Sequence, residues 1–373
     1  MSQEPFLTRE IYGEIVSTTC QYTSIQFLPA ETAIEAVTDS ENDTLEIGFS
    51  KKTYLKIFTE GHSYFQGKYP TEKKIENCSQ DELEHVYFAC LALLLTTNEF
   101  TTIWRVHESV VWELSRKTGM VWAKNDLAFC MALATLRLDK INKSPLLWHW
   151  LRKLSIIYVF NEFEEPIFLH FINQILRSMD AHYTNYAAGF TLGWLVNVAR
   201  ALELEFDENA VISLIRQKCR QKLGDVSLWT TFGTVLSAKK CEFSETLYRH
   251  MAKLLEEIGV VSRDHSNHVP IHGSSSHESG DLIEGQIQKS SIPEPVVFRD
   301  LSALLEKEAC CEIKWLLDVQ CSIATPYKHM LQSMHDREIG EKLLTQKLSE
   351  IETQPKGENM NRFCAVLREL VNN

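Results

Sequence analysis

Val86, Tyr87, Cys90, Leu91, Leu94 and Leu95 recur at steps of three and four residues, which puts them on one face of an α-helix. Ser79 and Glu82 stand ahead of that run as a capping box. The hydroxyl takes one orphan N–H and the carboxylate reaches back to another, so a helix is expected to begin just after Ser79. The same periodicity returns in "PIFLHFINQILRSM", where Phe168, Phe171, Ile172, Ile175, Leu176 and Met179 form a stripe and Pro166 pre-sets the first turn. Asp207 opens "ENAVISLIRQKCRQKL", with Gly224 expected as its left-handed stop. Ser244 and Gly259 bracket a further helix, whose inner face holds Leu247, Met251, Leu254, Leu255 and Ile258.

Before residue 79 the pattern changes. "SIQFLPA" and "TLEIGFS" read as short strands, so residues 1–78 are expected to form a small N-terminal cap with β content. Residues 79–373 then form a helical-hairpin domain. Residues 262–295 interrupt it with Ser, His, Gly and Pro and few apolar side chains to offset the entropy of ordering, which predicts a mobile insertion. His265, His268, His272 and His277 within it suggest zinc, but no ordered framework or acidic neighbour fixes them, and no metal site is expected in this chain.

Charge removes several function classes. The formal net charge is -12 over 373 residues, which disfavours nucleic acid and anionic lipid as primary partners. The one basic run, "RQKCRQK" at 216–222, reads as a solvated helix face. The longest strongly apolar stretch, "YFACLALLL", is too short to span a bilayer, and "MSQEPFLTRE" lacks the layout of a signal peptide, so no membrane insertion and a cytoplasmic location are expected. Ten cysteines lack paired spacings, which suits reduced thiols. Cys310, Cys311 and Cys321 are read as core packing.

Tryptophan supplies a ruler for internal repeats. Trp104, Trp148, Trp229 and Trp315 are 44, 81 and 86 residues apart, and a slot held by Gly189 divides the second gap, making the first intervals 44, 41 and 40. A large ring at such a position wedges neighbouring helical hairpins that cannot cover their own apolar faces. Thr101 and Thr102 are expected to cap the helix whose first inward residue is Trp104.

"NEFTTIWRVH", "KSPLLWHWLRK" and "TNYAAGFTLGWLV", in this order and followed by the closing "NRFCAVLRELV", resemble the repeats of protein prenyltransferase α subunits, most closely the type III geranylgeranyltransferase branch. The resemblance covers roughly residues 80–371. It implies an all-α array of helical hairpins, an α-α superhelix or crescent. The family's repeat arginine is replaced by His107, Leu151, Leu192, Phe232 and Asp318, three residues past each slot.

What the resemblance implies for chemistry is a non-zinc subunit. The catalytic zinc is expected in the partner, the Rab geranylgeranyltransferase β subunit, with no cofactor in this chain. The substrates are geranylgeranyl diphosphate and an already farnesylated longin-domain SNARE. Lys143 matches the family's diphosphate-facing lysine, and Asn185 with Tyr186 matches its asparagine-tyrosine pair; Ala187 stands where a histidine often follows. The competing reading is a non-enzymatic helical-repeat scaffold that binds protein partners, with the tryptophan rhythm reflecting packing alone. A metal hydrolase built on the histidine loop lacks a suitable carboxylate–histidine spacing.

Overall fold

A computed structural model describes residues 6–29, 34–67, 69, 74–98, 100–160, 163–202, 204–237, 301–352 and 357–372. The helix expected between Ser244 and Gly259, the insertion at 262–295 and its four histidines lie outside the described residues. Helix α1 (Phe6–Ser17) is followed by strands β1 (Tyr22–Phe27), β2 (Ile34–Asp39) and β3 (Thr44–Phe49), and by α2 (Lys51–Gly67). Helices α3 (Gln80–Thr96), α4 (Thr101–Thr118), α5 (Val121–Ala134), α6 (Asp139–Asn142), α7 (Pro145–Leu154), α8 (Glu165–Ala181), α9 (Tyr186–Ala201), α10 (Glu208–Gln221) and α11 (Val226–Leu236) come next. Among the described residues from 301 onward are α12 (Ser302–Asp318), α13 (Ala324–Ser333), α14 (Arg337–Glu352) and α15 (Glu358–Asn372). The fold is therefore an all-α helical array with a small N-terminal sheet. No described helix is long and apolar enough to cross a membrane.

The described residues fall into two compact units, one up to Ala188 and one from Gly189, so the boundary lies within α9. Strands and first helices belong to the first unit together with α3 to α8, and do not form a unit of their own at residue 78. The physical reason is burial: Ile25, Leu45, Ile47 and Phe49 of the sheet are in the core, as are Ile11 and Ile15 of α1. Thr135, at the end of α5, accepts a hydrogen bond from Ile25 N at 3.2 Å, and Arg177 of α8 donates to Thr44 Oγ1 at 3.0 Å. Strand order is β1-β3-β2, with β1 parallel and β2 antiparallel to β3. The two expected strands are thus present, and β2 joins them unforeseen because "IEAVTD" stands mostly in solvent and carries no strong apolar alternation.

Ser79 and Glu82 form the expected capping box at the start of α3. Pro166 sits in the first turn of α8, and Asp207 caps α10 by accepting from Asn209 N and Ala210 N. Two expectations fail. Thr101 and Thr102 are first-turn residues of α4; the cap is Phe100, which has no side-chain cap bond. Gly224 is not left-handed, since α10 ends at Gln221 with Lys222 as its cap at φ -131°, while among the described glycines a positive φ falls at Gly119, which ends α4 at 94°.

The ring positions differ between the first three tryptophans and the last. Trp104, Trp148 and Trp229 each occupy the fourth position past a cap, with their main-chain N–H groups bonded to Phe100, Ser144 and Asp225. Gly189 stands four residues past Asn185, which accepts from Ala188 N. All three tryptophans are buried. Trp315 is different, because it lies near the end of α12, half-buried under the Arg220 guanidinium at 4.5 Å. The equivalent slot in α13 belongs to Tyr327, four residues past its cap Ile323 and fully buried. The basic run is likewise not a free solvated face: Arg216 and Arg220 of α10 pair with Glu308 and Glu312 of α12. None of the nine described cysteines is in a disulfide; Cys321 is buried as expected, Cys310 is half-buried and Cys311 is exposed.

Candidate functional site

Asn142 is the centre of the region that holds the candidate residues. It ends the short helix α6 and is fully buried. Its amide donates to Ala134 O at the end of α5, and to Ser178 O and Oγ of α8 at 3.1 and 2.9 Å. Its main-chain oxygen accepts from Trp148 Nε1 at 2.6 Å, and its side-chain oxygen from Asn185 Nδ2 at 2.5 Å. One asparagine therefore fixes α5, α7, α8 and the start of α9. Trp104 repeats half of this device, since its Nε1 donates at 2.7 Å to the oxygen of Asn98, also six residues earlier.

The two other candidate residues flank this centre. Lys143 follows Asn142 directly, about one third exposed, with its ammonium 3.9 Å from Asp139, itself well exposed. Tyr186 follows Asn185 and is 58% exposed. His182 joins the same edge, with Nδ1 2.6 Å from Asp139. Asn185 itself is fully buried and its amide is occupied by Asn142, so it cannot face a ligand as expected; it holds the start of α9 in place. The structure thus brings Lys143 and Tyr186 to neighbouring helix ends through the Asn142–Asn185 bond. Trp104, Trp148 and Trp229 are buried.

A second polar cluster escaped the sequence reading. Asp126 of α5 is fully buried and gathers donors from three other helices. Tyr87 Oη of α3 lies 2.9 Å from Oδ1, Trp150 Nε1 of α7 lies 2.6 Å from Oδ2, and His107 Nε2 of α4 lies 3.0 and 3.1 Å from the two oxygens. Cys130, one turn on from Asp126, adds a weak thiol contact at 3.8 Å. Aromatic faces close the site: the Tyr87 ring stacks on His107 at 5.4 Å, and Trp104 and Trp150 meet His107 edge-on. Burial pushes the Tyr87 phenol and the Cys130 thiol well up, so both remain protonated donors. His107 occupies one of the slots where an arginine was expected. In the sequence Asp126 follows Lys124 and Asn125, so nothing local marked it as a buried carboxylate.

His107, Asp126 and Cys130 present ligand atoms within 4.8 Å of one another, close enough to surround a small cation. The contacts as built are hydrogen bonds rather than ligation. His107 Nδ1 has no hydrogen-bond partner, so moving the proton there to free Nε2 for a metal would bury an unpaired N–H, whereas ligating histidines ordinarily donate that proton to an acceptor. The cluster fits a closed hydrogen-bonded hub.

Two family models match separate parts of the chain. Residues 1–135 match the ECM9 N-terminal domain and residues 147–258 the ECM9 middle domain, which between them cover more than half of the chain. Protein ECM9 of Saccharomyces cerevisiae is 25% identical over 198 residues, 52% of this chain and 49% of that protein, so the chain spans about half the length of the curated relative it matches. The resemblance to prenyltransferase α subunits is corrected by these matches, since both family models are those of ECM9. The short motifs misled because ring slots and asparagine caps are what packing of helical hairpins demands in general. Tyr87, His107, Asp126 and Cys130 lie in the ECM9 N-terminal match and Trp150 in the middle one, so the hub ties the two matched segments together. Lys143 falls between them.

Proposed function

We propose that the chain is the non-zinc helical subunit of a protein geranylgeranyltransferase. Paired with the Rab geranylgeranyltransferase β subunit, it offers Lys143 and Tyr186 to geranylgeranyl diphosphate, while zinc in the partner activates the cysteine of an already farnesylated SNARE. The observation that supports it is the Asn142–Asn185 bond, which keeps a one-third-exposed lysine and an exposed tyrosine at adjoining helix ends. An ammonium held only loosely by Asp139 at 3.9 Å is available to an arriving anion, and the exposed Tyr186 phenol at the start of α9 offers a donor of the kind that stabilises a departing diphosphate. The undisulfided cysteines agree with work in a reducing compartment such as the cytosol.

The test is reconstitution of the full chain with that β subunit, labelled geranylgeranyl diphosphate and a singly farnesylated SNARE. A stoichiometric complex that labels the SNARE, and labels it about tenfold more slowly with Lys143→Ala, supports the reading, since loss of one such electrostatic contact commonly has at least this effect. Absence of a complex, or unchanged kinetics in the variant, overturns it in the first case as a whole and in the second for Lys143. A second reading, a non-enzymatic helical scaffold, is favoured by the full use of Asn185 in holding α9 rather than in facing a ligand. A stable protein partner other than a prenyltransferase subunit, with no transfer activity, would establish it.

A further inference from the structure

The sheet has two edges, and they are treated differently. At the β1 edge, α5 supplies an acceptor for Ile25 N through Thr135, and Gln174 of α8 reaches Thr23 O at 3.5 Å. The β2 edge has four consecutive exposed residues, Glu35, Ala36, Val37 and Thr38, so both faces of the strand stand in solvent, with Val37 59% exposed. Its pairing with β3 runs without interruption from Ile34↔Phe49 to Asp39↔Thr44. An antiparallel neighbour uses the N–H and C=O of alternate residues, which leaves the others directed outward from the edge. Protein edges are ordinarily blunted by lysine, proline or a bulge, and β2 has none of these.

The turn that follows makes this edge rigid. Asp39 Oδ1 accepts from Glu41 N and Asn42 N at 3.0 and 3.2 Å, and Oδ2 from the Asn42 amide at 2.7 Å, clamping the β2–β3 hairpin in register. The segment that carries the edge is acidic. From residue 10 to residue 50 the sequence contains eight carboxylates, Glu35, Asp39, Glu41 and Asp43 among them, and no Lys, Arg or His. Arg177 of α8 also reaches the sheet, where it lies over the Tyr22 ring of β1, donates to Thr44 of β3 and adds to the pull on Asp39.

We propose that the β2 edge accepts an extended, lysine- or arginine-bearing segment of a partner protein as a fourth strand. Main-chain bonds along the edge supply the affinity and the acidic surround selects the charge. A second copy of this chain is a poor occupant: antiparallel pairing of β2 with itself about Val37 sets Glu35 opposite Asp39, and like charges directly across a ladder are destabilising. This surface is separate from Lys143 and Tyr186, so it stands or falls independently of the transferase reading.

The full chain would be titrated with a fluorescent hexapeptide alternating lysine with valine and threonine, alongside the same peptide N-methylated at alternate residues and a glutamate-for-lysine version. Binding to the first, about tenfold or more weaker for the methylated peptide (a difference of about 1.4 kcal/mol) and weaker still for the acidic one, is the expected result. Amide exchange in residues 34–39 should slow on binding, and Glu35→Lys should weaken it. Equal binding of the methylated peptide, or no change in exchange at 34–39, overturns strand addition. Concentration-dependent dimerisation that protects the same residues would assign the edge to a second copy instead.

Discussion

Asp126 and Glu312 are both fully buried carboxylates, and the two units of the molecule satisfy them by opposite means. Asp126 in the first unit draws hydrogen bonds from a phenol, an indole, an imidazole and a thiol on four helices, with no arginine or lysine among these donors. Glu312 in the second unit takes two guanidinium groups from a single helix: Arg216 Nε at 2.5 Å, and Arg220 through Nη2 and Nε at 2.8 and 3.2 Å. A ring of bulky, largely neutral donors requires four elements to be placed together, so it specifies tertiary structure. A guanidinium fork needs only two helix faces and keeps part of each arginine in water. The first arrangement should therefore be less forgiving of change than the second.

That contrast can be broken at several points. Removing the carboxylate from the hub with Asp126→Ala leaves an indole N–H, a phenol and an imidazole buried without their acceptor, and should cost about 3–5 kcal/mol in urea unfolding. A loss below about 1 kcal/mol would mean that the donors find new partners and the hub is not a keystone. Glu312→Gln should cost less, about 2 kcal/mol, because Arg220 and Arg216 are partly exposed and can regain water. If its thermal shift exceeds that of Asp126→Ala, the ranking of the two arrangements is reversed.

Smaller changes sharpen the same picture. Tyr87→Phe removes one donor of several from Asp126 while keeping the ring stacked on His107, so a loss of about 1 kcal/mol is expected, read by the same denaturation. Lys143→Ala should alter stability by no more than about 0.5 kcal/mol, since its contact with Asp139 is long and exposed. A large thermal shift there would show that Lys143 supports the fold, and would make any kinetic effect of the variant uninterpretable as chemistry.

Legibility followed the range of the interaction. The α3 capping box, the Asp207 cap and the apolar stripe of α8 could be read because each involves residues a turn or two apart. The ring slots at Trp104, Trp148, Gly189 and Trp229 were readable as a spacing, and the structure gives that spacing its meaning as the fourth residue after a cap. Trp315 misled because residue type alone marked it, whereas position after a cap selects Tyr327. Asn185 was found by its neighbour Tyr186, yet its burial against Asn142, 43 residues away, could not be read. The Asp126 hub joins residues 87, 107, 126 and 150, none of which carries a local motif.

Local hydrogen bonding and side-chain periodicity are encoded within a few residues, so the sequence by itself determined the starts of α3, α8 and α10, the predominance of helix after residue 79 and the rhythm that spaces the ring slots. Which polar side chains would share a partner depended on distances across several helices, and burial then made those pairings obligatory, because a polar group removed from water must find its acceptor inside the protein. Tertiary structure alone therefore decided that Asn142 and Asp126 are the junctions, that Arg216 and Arg220 close on Glu312, and that β2 is left at the open edge of the sheet.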